Sequence, residues 1–383
     1  MTAAKSWSGW QALKDHPWLA ALVIFLPPLS ALLFIAIFAS GTPHKLPVGV
    51  VDLDHTSESR LLIRKLDAHP SLDMRHPFTS ATEGGDALHR GEVYALLIIP
   101  SDFGKDLRRS TSPKTSAFYN SQYLLAGKFI SSALMQTSMS FSAEIGVALR
   151  LGQGYSLPEA TSAAAPVQPQ ITALYNAGMS YALFLVTSIT PAVWQILIVA
   201  STLLALCWRL ERAPLSNNYA SRVSEILQLL LPIALILWLQ GILFLAFYYL
   251  FLGWSPEDNV LWIVLAMALK VLAIQSVGTL ILSLVGNKIS AFSLSSAYLA
   301  PAFAFMGMTF PRGDMNSLAQ FWGNLMPSTH FMELQVAVAD HGAPLLTFLP
   351  SLGWLAVFSL LLPFAIYRLP SQLEVNMKER ISL

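Results

Sequence analysis

The chain has 383 residues, 54% of them hydrophobic and only 12% charged. A soluble globular domain carries about 25% charged residues, so half that density excludes an ordinary water-soluble enzyme, and so apolar a composition excludes intrinsic disorder. The 23 Lys and Arg against 22 Asp and Glu leave no basic excess to hold nucleic acid, and the single cysteine, Cys207, excludes an internal disulfide or a cysteine-built metal centre.

The apolar residues are clustered. Ser6–His16 places Trp7, Trp10 and Leu13 at helical spacing and reads as a helix lying in the membrane interface over 1–17. Trp18–Ala39 follows. It exceeds the ~7–15 apolar residues of a cleavable signal core and no A-x-A site comes after it, so it reads as a retained first span over 18–39. Five further segments reach the ~20 apolar residues that a bilayer core requires: Gly178–Trp208, Val223–Leu252, Val260–Val285, Ile289–Phe310 and Pro344–Tyr367. Helices satisfy their own backbone groups in lipid, and the alternation of a membrane barrel is absent. The expected fold is therefore an α-helical integral membrane protein of six spans with an inserted external α+β domain. Basic residues flank one side (Lys5, Lys14, Arg209, Arg212, Arg222, Lys288, Arg368, Lys378, Arg380), while Gly253–Asn259 is acidic. That asymmetry predicts both termini in the cytoplasm, with a cytoplasmic tail over 368–383.

Between the first two spans, residues 40–177 hold 12 Lys and Arg and 12 Asp and Glu, over half the charge of the chain. They read as an external, periplasmic domain. Pro47–Leu53, Tyr94–Pro100 and Ser116–Asn120 are expected strands, and Ser57–Ala68, Thr82–Arg90 and Asp102–Arg109 expected helices, a spacing that suits sheet strands joined by crossover helices. Gln122–Arg150 lacks proline and is expected as one long helix with a Leu125, Phe129, Leu134, Phe141 stripe. Gly152–Gln170 is expected as a loop and Ile171–Tyr175 as a strand.

Candidate chemistry is sparse. Asp52 and Asp54 form a D-x-D that suits either a divalent ion or a capped turn, and the turn is the commoner use. His55, His69, His76 and His89 lack the i, i+4 spacing of a helical metal pair. Neither a G-x-S-x-G elbow nor a G-x-x-x-x-G-K-[ST] phosphate loop is present, so no nucleotide is expected to bind here in the P-loop manner. The chain is expected to be non-catalytic, with no cofactor of its own. Lys270 lies mid-span, where a charge costs ~2.5–3.5 kcal/mol on insertion scales. With Gln275 and Ser276 it marks either a polar pathway or an inter-helix pair. Gln195 and Gln240 are similar polar points that helix–helix hydrogen bonding explains. In the five-span region 178–367, Met315–Met326 and Thr329–Ala339, separated by Pro327, are too short to cross. They are expected as a re-entrant pair over 315–340, with Glu333 needing water or a donor.

The order of these parts resembles the permease subunit of type-2 ABC exporters. VGVVDLDHTSESRLLIRKLD (48–67) and GEVYALLIIPSDFGKDL (91–107) are similar to that family's first external strands and helices. Leu174-Tyr175-Asn176 resembles its Leu-Tyr-Asn-Pro, with Ala177 in place of proline. PAFAFMGMTFPRGDMNSLAQFWGNLMPSTHFME (301–333) is similar to its fifth-span end and re-entrant pair. The resemblance implies a bacterial inner-membrane permease that exports a hydrophobic or amphipathic substrate. It also implies two cytoplasmic ATP-binding subunits carrying ATP and Mg, and a second permease copy or paralogue. The external domain is large enough to meet a periplasmic membrane-fusion protein. The family's Arg-Glu-x-Gly-Thr loop that meets the ATPase is here Arg209-Leu-Glu-Arg-Ala-Pro-Leu-Ser, so Arg209, Glu211 and Arg212 are the candidate docking residues although the Gly-Thr is gone. Two other readings remain. One is a membrane-anchored receptor or adaptor that displays 40–177 and transports nothing; the other is an intramembrane enzyme, for which Lys270 alone is a poor catalytic group.

Overall fold

The computed structural model describes residues 7–38, 41–109, 111–164, 176, 180, 182–254 and 259–370. The chain divides into two compact units, one over Thr42–Ala173 and one made of the rest.

The second unit begins with α1 (Gly9–Asp15), capped by the Ser8 hydroxyl, which accepts from Gln11 N. Gly9 lies against the backbone carbonyl of Leu229, where a Cβ would collide. Ala12 and Leu13 face inward while Trp10 is exposed, so the expected Trp7, Trp10, Leu13 stripe is divided. His16 then caps α2 (Pro17–Ala20), with Pro17 at the helix start where a missing N–H costs nothing. A π-helical stretch (Ala21–Phe25) and α3 (Leu26–Phe38) continue it as a single helix of 22 residues.

The Thr42–Ala173 unit runs β1 (Leu46–Asp52), α4 (Ser57–Asp67), β2 (Leu72–Pro77), α5 (Ala81–His89), β3 (Ala95–Ile99), α6 (Phe103–Arg108) and β4 (Ser116–Tyr119). The sheet order is β2-β1-β3-β4. β1 pairs parallel with both neighbours, as the crossover helices require, and β4 is antiparallel to β3. Val48, Val50, Val51, Leu96, Leu97 and Ile99 form its core. β2 is absent from the sequence expectation, because at the sheet edge only Leu72 and Met74 need burial. α7 (Leu124–Gly152) is the expected long helix, with Phe129, Leu134 and Phe141 buried and Leu125 exposed. Gly152–Gln170 is not simply a loop: α8 (Leu157–Ala164) forms within it, and the Glu159 carboxylate accepts from Ser156 N and Oγ at its start. The expected strand Ile171–Tyr175 lies outside the described residues. The Asp52 and Asp54 carboxylates are occupied by turn hydrogen bonds: Asp52 accepts from Asp54 N, His55 N and Ser59 Oγ, and Asp54 accepts from Thr56 Oγ1 and Gly104 N.

A second π-helical stretch (Ala182–Val186) leads into α9 (Thr187–Arg212). α10 (Tyr219–Leu252) and α11 (Leu261–Val285) follow, each ended by a glycine in the left-handed conformation, Gly253 and Gly286. Next come α12 (Lys288–Leu299), α13 (Ala302–Phe305), a 3-10 turn (Arg312–Asp314), α14 (Ser317–Asn324), α15 (Pro327–Ala339), α16 (Leu345–Ser359) and α17 (Leu361–Arg368). Among the described residues, five helices are long and apolar enough to cross a membrane: 17–38, 182–212, 219–252, 261–285 and 345–368. The expected span Ile289–Phe310 differs. It is divided between α12 and α13 at Pro301, which has no N–H to continue the ladder. Of these helices, α9 and α11 are the most enclosed, and Gly278 brings α11 close to Val199 of α9.

Candidate functional site

Three polar features stand out in the helical unit, because in lipid the hydrophobic effect does not drive helix association and hydrogen bonds and close packing take that role.

The first is the α9–α10 corner. α9 ends in Arg209–Arg212 and α10 begins at Tyr219, its N-terminus capped by the Asn218 side chain, which accepts from Ala220 N and Ser221 N. Arg209 is buried. Its guanidinium meets the Glu225 carboxylate at 2.6 Å, donates to Ala213 O at 2.6 Å, and lies 5.8 Å from the Trp7 ring centre. Trp7 in turn packs edge-on against Trp208 at 5.6 Å. Arg209 is thus the staple that joins α1, α9 and α10. Glu211 and Arg212 are exposed. Glu211 pairs with Lys288 at 3.4 Å, and Arg212 stacks 4.5 Å from the Trp208 ring centre.

The second is the seam between α9, α11 and α15. Pro191 sits inside α9 and supplies no N–H to Thr187 O, four residues earlier. Gln335 of α15 supplies it instead, donating from Nε2 at 3.2 Å. One turn deeper, Lys270 of α11 is fully buried and donates from Nζ to Pro191 O at 3.0 Å. The ammonium lies 4.4 Å from the Phe331 ring centre and 5.3 Å from that of Trp194. The closest approach to Gly241 of α10 is made by Trp194, whose ring occupies the space a Cβ would fill. No described carboxylate pairs with Lys270. Gln275, a turn and a half on, donates to Leu230 O at 3.2 Å, and Ser276 to Leu272 O and Ser359 O. Lys270 and Gln275 therefore both tie α11 to main-chain oxygens of neighbouring helices.

The third is the α14–α15 pair. Pro327 occupies the first position of α15, and Glu333 lies one and a half turns on. The donor that Glu333 needs is Arg312, which also bonds Asn324 Oδ1, and Ser351 Oγ adds a hydrogen bond at 3.0 Å from α16. His330, stacked on Trp354, donates from Nε2 to Asn324 O at 2.9 Å. Arg312 is the partner that sequence reasoning missed; an arginine followed by glycine just before a short helical pair is its only signal. Nearby, a cavity of about 90 Å³ is lined by Thr187, Gln335, Trp254 and Asp340. Burial raises the Asp340 carboxyl from its ordinary value, against a hydrogen bond from Trp254.

Gln240 of α10 donates to Val23 O at 2.9 Å and to Ile24 O at 3.2 Å. It holds the π-helical stretch of the first long helix, where wider winding shifts carbonyls out of regular pairing. Among the described residues no group of three metal-ligating side chains comes together.

A family model described as ABC-2 family transporter protein matches residues 17–367. Comparison with curated proteins gives no match. Comparison with solved structures gives none either.

Proposed function

The chain belongs to the ABC-2 family of transporter proteins, and from that premise we propose that it is the transmembrane permease subunit of an ATP-driven exporter. It moves a hydrophobic or amphipathic substrate out of the cytoplasm or the inner membrane. In this reading the chain crosses the bacterial inner membrane six times, with α12 and α13 together making the fifth crossing and α14–α15 forming a re-entrant pair. Both termini are cytoplasmic and Thr42–Ala173 lies outside, where it meets a periplasmic membrane-fusion partner. ATP and Mg bind a separate cytoplasmic subunit, and a second permease copy or a paralogue completes the pore.

The observation that carries this reading is the α9–α10 corner. The pair between buried Arg209 and half-buried Glu225 makes it rigid, while Glu211 and Arg212 project from it beside Lys288. A rigid corner with exposed charges of both signs is what a motor subunit needs in order to push on α9 and α10 together. The continuous helix of 31 residues that α9 forms with the π-helical stretch before it, and the 34 residues of α10, carry such a push through the whole helical unit.

The test is reconstitution of the chain with its cognate ATP-binding subunit in lipid vesicles. ATP hydrolysis is expected to depend on the chain, and reversing both charges (Glu211→Lys with Arg212→Glu) to lower that coupling at least tenfold while the two subunits are still made. Coupling indifferent to these substitutions removes the docking assignment. ATP hydrolysis by the chain alone removes the division of labour.

A further inference from the structure

Lys270 presents an electrostatic problem that the fold leaves open. Its ammonium is fully enclosed at mid-span, with one backbone carbonyl, two aromatic faces and no carboxylate partner among the described residues. A buried charge is costly unless it is paired and hydrogen-bonded. The aromatic faces attract the cation but neutralise nothing.

The surroundings are rich in polar groups that also lack partners. Trp194 Nε1, both side-chain polar atoms of Gln195, Ser328 Oγ and Thr329 Oγ1 are buried without a hydrogen-bond partner. All of these residues are at least nine-tenths buried. Buried polar groups are ordinarily satisfied, so a cluster of exceptions asks for an explanation. α15 meets α9 at Gln335–Thr187, and one turn on, Phe331 stands by Lys270 and Pro191. Helices repeat every 3.6 residues, so the next turn carries Ser328 onto the face of Gln335 and Phe331, toward the level of Trp194 and Gln195, with Thr329 about 100° around from it. That turn is also the start of α15, which has no side-chain cap. With Pro327 at its first position and Thr329 N bonded to Met326 O, that turn offers Ser328 N at the positive end of the helix dipole. A lysine ammonium, an indole N–H, a side-chain amide, two hydroxyls and a helix start are mostly hydrogen-bond donors.

We infer that the seam formed by Lys270, Trp194 and Gln195 with the first turn of α15 is a binding site for an anionic head group, a carboxylate or phosphate carried on an apolar tail. This rests on the exporter reading and narrows it to anionic amphiphiles. In the structure Lys270 is closed off, so the head group enters when α15 parts from α9. The bond from Gln335 to Thr187 O and the contact of Phe331 with the ammonium hold the seam shut. The arriving anion supplies the counter-charge that the chain withholds.

The experiment uses the full chain with its ATP-binding subunit in phosphatidylcholine vesicles. It compares stimulation of ATP hydrolysis by submicellar dodecanoate, dodecyl phosphate and dodecyltrimethylammonium, which share one tail. The wild-type complex is expected to be half-stimulated by the two anions at about tenfold lower concentration than by the cation. Lys270→Met is expected to abolish that preference, Lys270→Arg to keep it, and Trp194→Phe, which keeps a ring but removes the indole donor, to weaken it. Equal response of the wild type to all three head groups overturns the proposal without reference to any variant. Preference that survives in Lys270→Met overturns it as well. No stimulation by any amphiphile, with chain-dependent ATP hydrolysis intact, overturns the exporter reading beneath it. Repeating the series with phosphatidylglycerol in the vesicles separates two sources of the same chemistry. If the preference persists, the occupant is the added amphiphile; if it disappears only there, a resident lipid head group holds the site.

Discussion

The Gln335 side-chain amide donates to the Thr187 carbonyl, the one α9 oxygen that Pro191 deprives of its regular helical donor. The proline and the glutamine lie on different helices, yet each makes sense only in the presence of the other. A buried carbonyl left alone costs about 1–3 kcal/mol. Gln335→Leu is therefore expected to lower stability by that amount. In a Pro191→Ala background the helix supplies its own N–H, and the same substitution is expected to cost less. Thermal unfolding of the two single variants and the double variant in detergent measures the coupling, and strict additivity rules it out.

Gly9 makes a second prediction about close approach. A side chain there collides with Leu229 O on α10. Gly9→Val is expected to lift α1 from α10 and expose Ala12, which is fully buried. A cysteine placed at Ala12, with Cys207 replaced by serine, is expected to react with a water-soluble maleimide several times faster in the Gly9→Val background. An unchanged rate shows that α1 tolerates the substitution.

Two of the candidate docking residues, Arg209 and Arg212, are expected to separate by phenotype. Arg209→Ala removes the ion pair of a buried guanidinium with half-buried Glu225, the bond to Ala213 O and the contact with Trp7. It is expected to cost about 2 kcal/mol or more of stability. Arg212→Ala removes an exposed charge stacked on Trp208 and is expected to stay within about 1 kcal/mol of wild type while lowering motor coupling. Unfolding midpoints read beside ATP hydrolysis distinguish the two. A stable, uncoupled Arg209→Ala reverses the assignment.

In the Thr42–Ala173 unit, the Glu83 carboxylate accepts from Thr79 Oγ1 and Thr79 N at the start of α5, and these bonds hold its pKa below the usual glutamate value. A carboxyl depressed in the folded state contributes stability that is present above its unfolded value and is lost as pH falls through the folded one. Amide exchange in α5 is therefore expected to accelerate, relative to the sheet, as pH drops below about 4. Glu83→Gln is expected to flatten that dependence. A profile identical to wild type excludes Glu83 as its source.

Legibility in the sequence follows the kind of force involved. β1 and β3 are continuous β-branched and aliphatic runs, and burial on both faces makes them readable; β2 alternates with Asp73, Arg75 and His76 and gives no such run. Hydropathy sums over Ile289–Phe310 without registering that Pro301 divides it. Lys270, Gln275 and Glu333 are conspicuous as polar residues in apolar surroundings. Their partners are less so: Lys270 and Gln275 bond to backbone oxygens, which every residue has, and Glu333 to Arg312 in an irregular loop. Composition reveals which side chain needs a partner, and only tertiary structure says where the partner is.

One asymmetry runs through the helical unit. Gln240, Lys270, Gln275 and Gln335 each reach across to a neighbouring helix and end on a main-chain oxygen, at Val23 and Ile24, Pro191, Leu230 and Thr187. The giver of each bond is a particular residue, whereas the receiver is an address along the chain. Tolerance to replacement is accordingly lopsided. Val23, Ile24 and Leu230 accept many apolar substitutes without disturbing the joint, but the four long polar side chains opposite do not. A library that randomises both sides should drift freely on one and stay nearly frozen on the other.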